Sequence, residues 1–145
     1  MELTNYNFSL VATIVPNDFW DELHPRIKFR FLESFQDKRA ESWVYAWVKV
    51  RNNERSIIYI GKAGRTLKQR FGGHEGGGRP SPQGSGKGRK NSKNLTELLN
   101  QGYTIEVWAR LAETIELFGE QVSLVSTEEE ALIQKFKKIY QLWNS

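Results

Sequence analysis

From Trp43 to Val50 the chain alternates without a break, with Val44, Ala46, Val48 and Val50 on one side and Trp43, Tyr45, Trp47 and Lys49 on the other. A period of two marks extended chain, because successive side chains of a strand point to opposite faces. The polar run Arg51-Asn52-Asn53-Glu54 supplies turn residues, and Ser56 to Ile60 is a second β-rich run. Together they predict a hairpin, with Gly61 ending its second strand.

The rest of the fold must fit around this hairpin in 145 residues, about one domain. Hydrophobic residues make up 39% of the chain, charged residues 26% and aromatics 12%, enough for a real core, which excludes wholesale disorder. No run approaches the roughly eighteen apolar residues of a membrane span, and Met1-Glu2-Leu3-Thr4-Asn5 lacks the basic start of a secretory signal. The expected location is the cytoplasm, with no membrane partner. Cysteine is absent, which removes disulfides, thiolate zinc sites and thiol nucleophiles, and His24 and His74 are too few for histidine-rich metal chemistry. Asp18, Asp21 and Asp37 are all the aspartates, so a carboxylate working later in the chain is a glutamate.

The net charge of +4 is concentrated. Between Lys62 and Lys93 stand nine basic residues, Lys62, Arg65, Lys68, Arg70, Arg79, Lys87, Arg89, Lys90 and Lys93, against the single acid Glu75. Residues 72–91 also hold eight of the twelve glycines, a composition that cannot bury apolar area and reads as a mobile loop. Lysines and arginines on such a loop can follow phosphates through counterion release, which makes 72–93 a candidate DNA clamp.

Elsewhere the pattern is mixed. Pro16-Asn17-Asp18 reads as a helix start, with His24-Pro25 as its stop, and Arg26 to Phe35 fits strand or helix, with a lean to helix. Thr66 can cap a short helix with Leu67, Arg70, Phe71 and His74 on one stripe. A further helix is expected from about Asn94 to a stop at Gly102, then a strand over Tyr103 to Leu111 and a hairpin around Gly119. Ser126 or Thr127 caps a last helix with the stripe Leu132, Ile133, Phe136 and Ile139 or Tyr140, running on to Trp143.

Trp43-Val44-Tyr45, Tyr59-Ile60-Gly61-Lys62, Arg70 with His74 four residues on, Glu129 leading into Leu132-Ile133, and Trp143-Asn144 follow one another in this order. Singly, each has an ordinary explanation; the order carries the signal. The series resembles the GIY-YIG nuclease superfamily, and most of all its small phage and restriction-type endonucleases. Trp-Val-Tyr departs from Gly-Ile-Tyr by placing a bulky ring at the pocket rim. The Tyr45 to Tyr59 spacing is slightly long, which a larger hairpin turn would absorb.

The resemblance implies an α+β fold, a small three-stranded antiparallel sheet flanked by helices over 42–145, with residues 1–41 as an N-terminal extension for DNA contact or dimerisation. It implies a DNA endonuclease using one divalent metal, Mg2+ with Mn2+ as substitute, on double-stranded DNA. Tyr45 would be the general base, its pKa of about 10 lowered by Lys62, Arg70 and the metal. Tyr59 would position the water or Tyr45, Arg70 would hold a phosphate oxygen, and His74 would contact the phosphate or complete the proton network. Glu129 would bind the metal. Arg65, Lys68, Arg79, Lys87, Arg89, Lys90, Lys93 and Asn144 would contact DNA. A double-strand break from one site per chain favours a homodimer.

Among Glu128, Glu129 and Glu130, a Thr127 cap gives Glu130 the capping-box position and leaves Glu129 heading the apolar stripe, free for a metal. A Ser126 cap makes Glu129 the capping partner and turns Glu130 towards solvent. The runner-up function is a nucleic-acid-binding module on the same scaffold without turnover.

Overall fold

A computed structural model describes residues 2–17, 27–36, 42–64, 66–68, 70–71 and 86–144, with side chains of 86–89 excepted. Five strands, β1 (Ser9–Pro16), β2 (Ile27–Phe31), β3 (Trp43–Arg51), β4 (Glu54–Ala63) and β5 (Thr104–Leu111), form one sheet in the order β2-β1-β5-β3-β4, every pairing antiparallel. Three strands were expected; residues 9–16 and 27–31 add the other two. The helix reading of 26–35 is corrected by β2, where Ile27 and Phe29 are buried between exposed Lys28 and Arg30. Phe29 decides it, because a strand stacks its ring on Phe71 at 4.4 Å, whereas the helical stripe would have left it out. Pro16 ends β1 instead of opening a helix, and the helix expected over 17–24 lies almost wholly outside the described residues.

β3 is the spine of the molecule, buried on both faces. Tyr45 and Trp47 enter one apolar cluster, while Val44, Ala46 and Val48 enter the other, so the alternation of the sequence became two cores and not one wet face. Asn52 and Asn53 at φ 53° and 64° make the two-residue β3–β4 turn, a geometry matched to the twist of paired strands and tolerated by asparagine. The turn is therefore tight, and the extra residue between the two tyrosines is absorbed elsewhere. Pairing runs Trp47↔Tyr59 and then Val48↔Ile57, so Ile58 bulges out of β4. Ile58 and Tyr59, although consecutive, both join the Tyr45 cluster, and the bulge is what turns Tyr59 towards Tyr45. β4 also runs on through Gly61 to Ala63, past the end expected for it.

Helix α1 (Gly86–Asn100) begins eight residues before Asn94, so Lys87, Arg89, Lys90 and Lys93 are helical and not part of a loop. Gly86, Gly88 and Ser92 lower the helical propensity that the sequence shows, and packing of Leu95, Leu98 and Leu99 on the sheet outweighs this. Its end is as expected: Gly102 at φ 90° donates to the Leu99 carbonyl and Tyr103 to that of Leu98, a Schellman stop. Two exposed strands, β6 (Thr114–Leu117) and β7 (Glu120–Ser123), form the hairpin expected around Gly119. Helix α2 (Val125–Phe136) then buries Leu132 and Phe136 on the other face of the sheet. It stops at Phe136 and does not run on to Trp143, because the tail returns to the free edge of β4, where Trp143 N–H donates to the Ile58 carbonyl at 2.8 Å. No helix among the described residues is long and apolar enough to cross a membrane.

Candidate active site

Tyr45 stands directly across from Gly61 in the β3–β4 ladder and is completely buried. Its ring lies over the glycine, so close that a Cβ on Gly61 would sit 2.4 Å from the Tyr45 Cζ and hydroxyl. Phe71 meets the ring edge-on at 4.8 Å, and the Tyr59 ring lies parallel at 6.2 Å, itself stacked on Trp47 at 4.5 Å. Both phenols thus project from adjacent strands on the same side of the sheet.

Beyond β4 the helical residues 67, 68, 70 and 71 bury Leu67 and Phe71 and leave Arg70 exposed beside the tyrosines. The Arg70 guanidinium donates to both phenol oxygens. Burial works against its charge, but Tyr45 and then Tyr59 more than offset this, and the Arg70 pKa is raised. Burial drives the Tyr45 pKa strongly upward, Tyr59 and Glu129 add to it, and Arg70 opposes it. A tyrosine whose folded pKa exceeds its ordinary value binds its proton more tightly when folded, so stability present below about pH 10 falls as pH rises beyond it. Thermal unfolding followed upward from neutral pH should show this alkaline loss, and it should be smaller in Tyr45→Phe; an unchanged slope would contradict the assignment.

Facing these groups is a cleft of about 690 Å³ at the β4 edge, lined by Tyr59, Lys62, Arg70, Ser126, Glu129 and Asn144 among others. Glu129 enters from the first half of α2 and is half-buried. Neither cap expected for α2 holds. Leu124 is the N-cap without a side-chain bond, the Ser123 hydroxyl accepts from Val125 N–H at 3.2 Å, and Glu130 is exposed with no capping role. The structural carboxylate is Glu128, which pairs with Arg110 Nε at 2.9 Å and accepts from the Glu113 N–H at 2.7 Å. The helix starts three residues earlier than a Thr127 cap requires, yet Glu129 still reaches the cleft.

Lys62 points to the α2 side of β4 and donates from Nζ to the Ser126 hydroxyl at 2.8 Å. Asn144, carried back by the tail, donates to the Ile60 carbonyl at 2.5 Å, and its buried Oδ1 has no hydrogen-bond partner among the described residues. Five expected site residues, Tyr45, Tyr59, Lys62, Arg70 and Glu129, therefore come together, with Asn144 at their margin. His74, Arg65 and Arg79 lie outside the described residues, as do the side chains of Lys87 and Arg89. Lys68, Lys90 and Lys93 are exposed, Lys68 above the Phe31 ring at 5.7 Å. Sequence reasoning missed Ser126 as a partner of Lys62, since the two are 64 positions apart.

Among the described residues no three carboxylates or histidines converge as a metal cage. Magnesium does not need one: it is commonly held by one or two carboxylates, with waters and substrate phosphates completing its shell. Glu129 with the unpartnered Asn144 Oδ1 nearby fits that mode.

The fold is shared with a solved phage protein. EndoII of bacteriophage T4, solved as a mutant, superposes with a TM-score of 0.69 and 21% identity, over 94% of this chain and 92% of that one. The restriction endonuclease HPY188I in complex with product DNA gives 0.47 and 23%, over 94% and 77%. No family model and no curated protein matches the sequence. At 21% identity the likeness to EndoII shows a shared fold, a mixed α+β architecture as the motif order implied.

Proposed function

We propose that the protein is a metal-dependent endonuclease hydrolysing phosphodiester bonds of double-stranded DNA. The observation that carries this reading is the convergence of the Tyr59 phenol, the Lys62 and Arg70 cations and the Glu129 carboxylate on one cleft, with the buried Tyr45 phenol beside Tyr59 and Arg70. Hydrolysis of a phosphodiester needs a path for the proton of the attacking water and positive charge around the phosphate, and this cleft offers both. The resemblance to GIY-YIG nucleases and the shared fold with EndoII support the same conclusion.

Mg2+, or Mn2+ in its place, would be held by Glu129 and would supply positive charge beside the phosphate and polarise the water. Arg70 holds a phosphate oxygen, and by donating to Tyr45 it favours the ionised phenol that can accept a proton. Tyr59 keeps Tyr45 and the water in line. His74 contacts the phosphate, while Arg65, Lys68, Arg79, Lys87, Arg89, Lys90 and Lys93 with Asn144 hold the DNA backbone, two chains acting together for a double-strand break.

A second reading has one observation in its favour. Burial holds the Tyr45 proton firmly in the resting protein, the reverse of what a base needs, as in a binding module without turnover. Plasmid cleavage in Mg2+ with an EDTA arm, DNA binding being followed in the same samples, separates the two. Nicking or linearisation that disappears in EDTA is the expected result. Tyr45→Phe should slow it by about 10²- to 10⁴-fold with binding kept. Wild-type binding without cleavage on plasmid, branched and single-stranded DNA would establish the module instead.

A further inference from the structure

Lys62 is the cation in the cleft whose charge is not shared with a carboxylate or a phenol. Its partner is the neutral Ser126 hydroxyl, 2.8 Å away. The ion pairs among the described residues lie elsewhere, at Arg55–Glu106, Arg110–Glu113 and Arg110–Glu128. Two features of the fold create this contact. Lys62 lies on the opposite side of β4 from Tyr59 and Gly61, next to Ile60, and α2 packs on that side through Leu132 and Phe136. Helix α2 also starts at Val125 with Leu124 as its cap, so the Ser126 hydroxyl is released from capping. Glu129 follows Ser126 by three residues, so one turn of α2 carries both groups on the same side, and both line the cleft.

A lysine ammonium on a four-carbon stem is a mobile point charge with three donors, and holding it still carries an entropic cost. A carboxylate partner would fix it but neutralise it. A hydroxyl fixes it through one donor and leaves the full charge and two donors for an anion. We infer that Ser126 is a positioning residue for the nuclease reaction proposed above, holding the Lys62 ammonium beside Glu129 so that its charge meets the phosphate being cleaved. The inference rests on that reading of the cleft. Preorganised charge of this kind acts on the rate more than on ground-state binding, because it is already in place when charge develops on the phosphate.

The test is single-turnover cleavage and DNA affinity measured in parallel for Ser126→Ala, Ser126→Thr, Lys62→Met and the Lys62→Met/Ser126→Ala double variant. Ser126→Ala should lower the rate about tenfold, the scale of one hydrogen bond, with affinity unchanged. Ser126→Thr, which keeps the hydroxyl, should restore it, and Ser126→Ala should add nothing once Lys62 is methionine. A full additive loss in the double variant, failure of threonine to rescue, or a Ser126→Ala rate equal to wild type would each overturn the proposal. Nitrogen-15 NMR of the Lys62 ammonium gives a readout apart from activity: its slowed proton exchange in wild type should be lost in Ser126→Ala. An intact ammonium signal in a wild type that cleaves no DNA would remove the nuclease reading. Wild-type cleavage with an ammonium signal insensitive to Ser126 would remove the positioning role alone.

Discussion

Glu129→Gln is expected to reduce plasmid cleavage by about 10³-fold or more while leaving DNA affinity and the unfolding temperature near wild type. The substitution is isosteric and removes one charge from a half-buried position whose helix is anchored further along by Leu132 and Phe136, so the fold has no reason to change. The neighbouring glutamates make the argument discriminating. Glu128→Gln weakens a largely buried pair with Arg110 and should lower stability by about 1–3 kcal/mol, with cleavage per folded molecule retained. Glu130 is exposed, and Glu130→Gln should change neither. Calorimetric titration with Mg2+ in the presence of DNA completes the test, since Glu129→Gln should weaken metal binding and the other two should not. Wild-type cleavage by Glu129→Gln, or loss of cleavage on changing Glu130, would show that another register of the triple glutamate faces the reaction.

The contrast among those three residues also shows how far the sequence could be read. The offset of Glu129 from Leu132, Ile133 and Phe136 is a property of helical spacing, so it survived although the expected cap was wrong. The cap failed because the helix start was decided by tertiary contact: Glu128 is tied to Arg110 on β5, and Ser126 to Lys62 on β4, pairings that no local window contains. β2 was missed for a similar reason. Five residues fit either period, and what settled the choice was the open edge of β1 and the Phe71 ring waiting for Phe29. Tyr45 and Tyr59 were placed on neighbouring strands by alternation alone, yet their common orientation depends on the Ile58 bulge, a one-residue slip invisible to composition. Motif order thus located the groups, while packing decided how they meet.

Gly61→Ala tests that packing directly and should be the most damaging single methyl group in the site. Gly61 is not needed for a left-handed backbone; it sits within β4 with an ordinary φ. Its requirement is space, because the added Cβ would lie 2.4 Å from the Tyr45 Cζ and hydroxyl and 2.8 Å from Cε2. The ring has nowhere to retreat, being fully buried against Phe71, Tyr59 and Trp47. Overpacking of this sort costs about 1–3 kcal/mol, which in a chain of this size lowers the unfolding temperature by about 3–10 °C. Relief by a small shift of Tyr45 would carry its hydroxyl away from Arg70, and a displacement near 1 Å can cost about 10²-fold in rate. Gly64→Ala is the control, since a Cβ there meets nothing within 4 Å, and it should be silent in both measurements. If the clash is with the ring, adding Tyr45→Leu to Gly61→Ala should recover part of the lost stability without recovering cleavage. Two independent, additive losses would mean that Gly61 acts on the sheet and not through Tyr45.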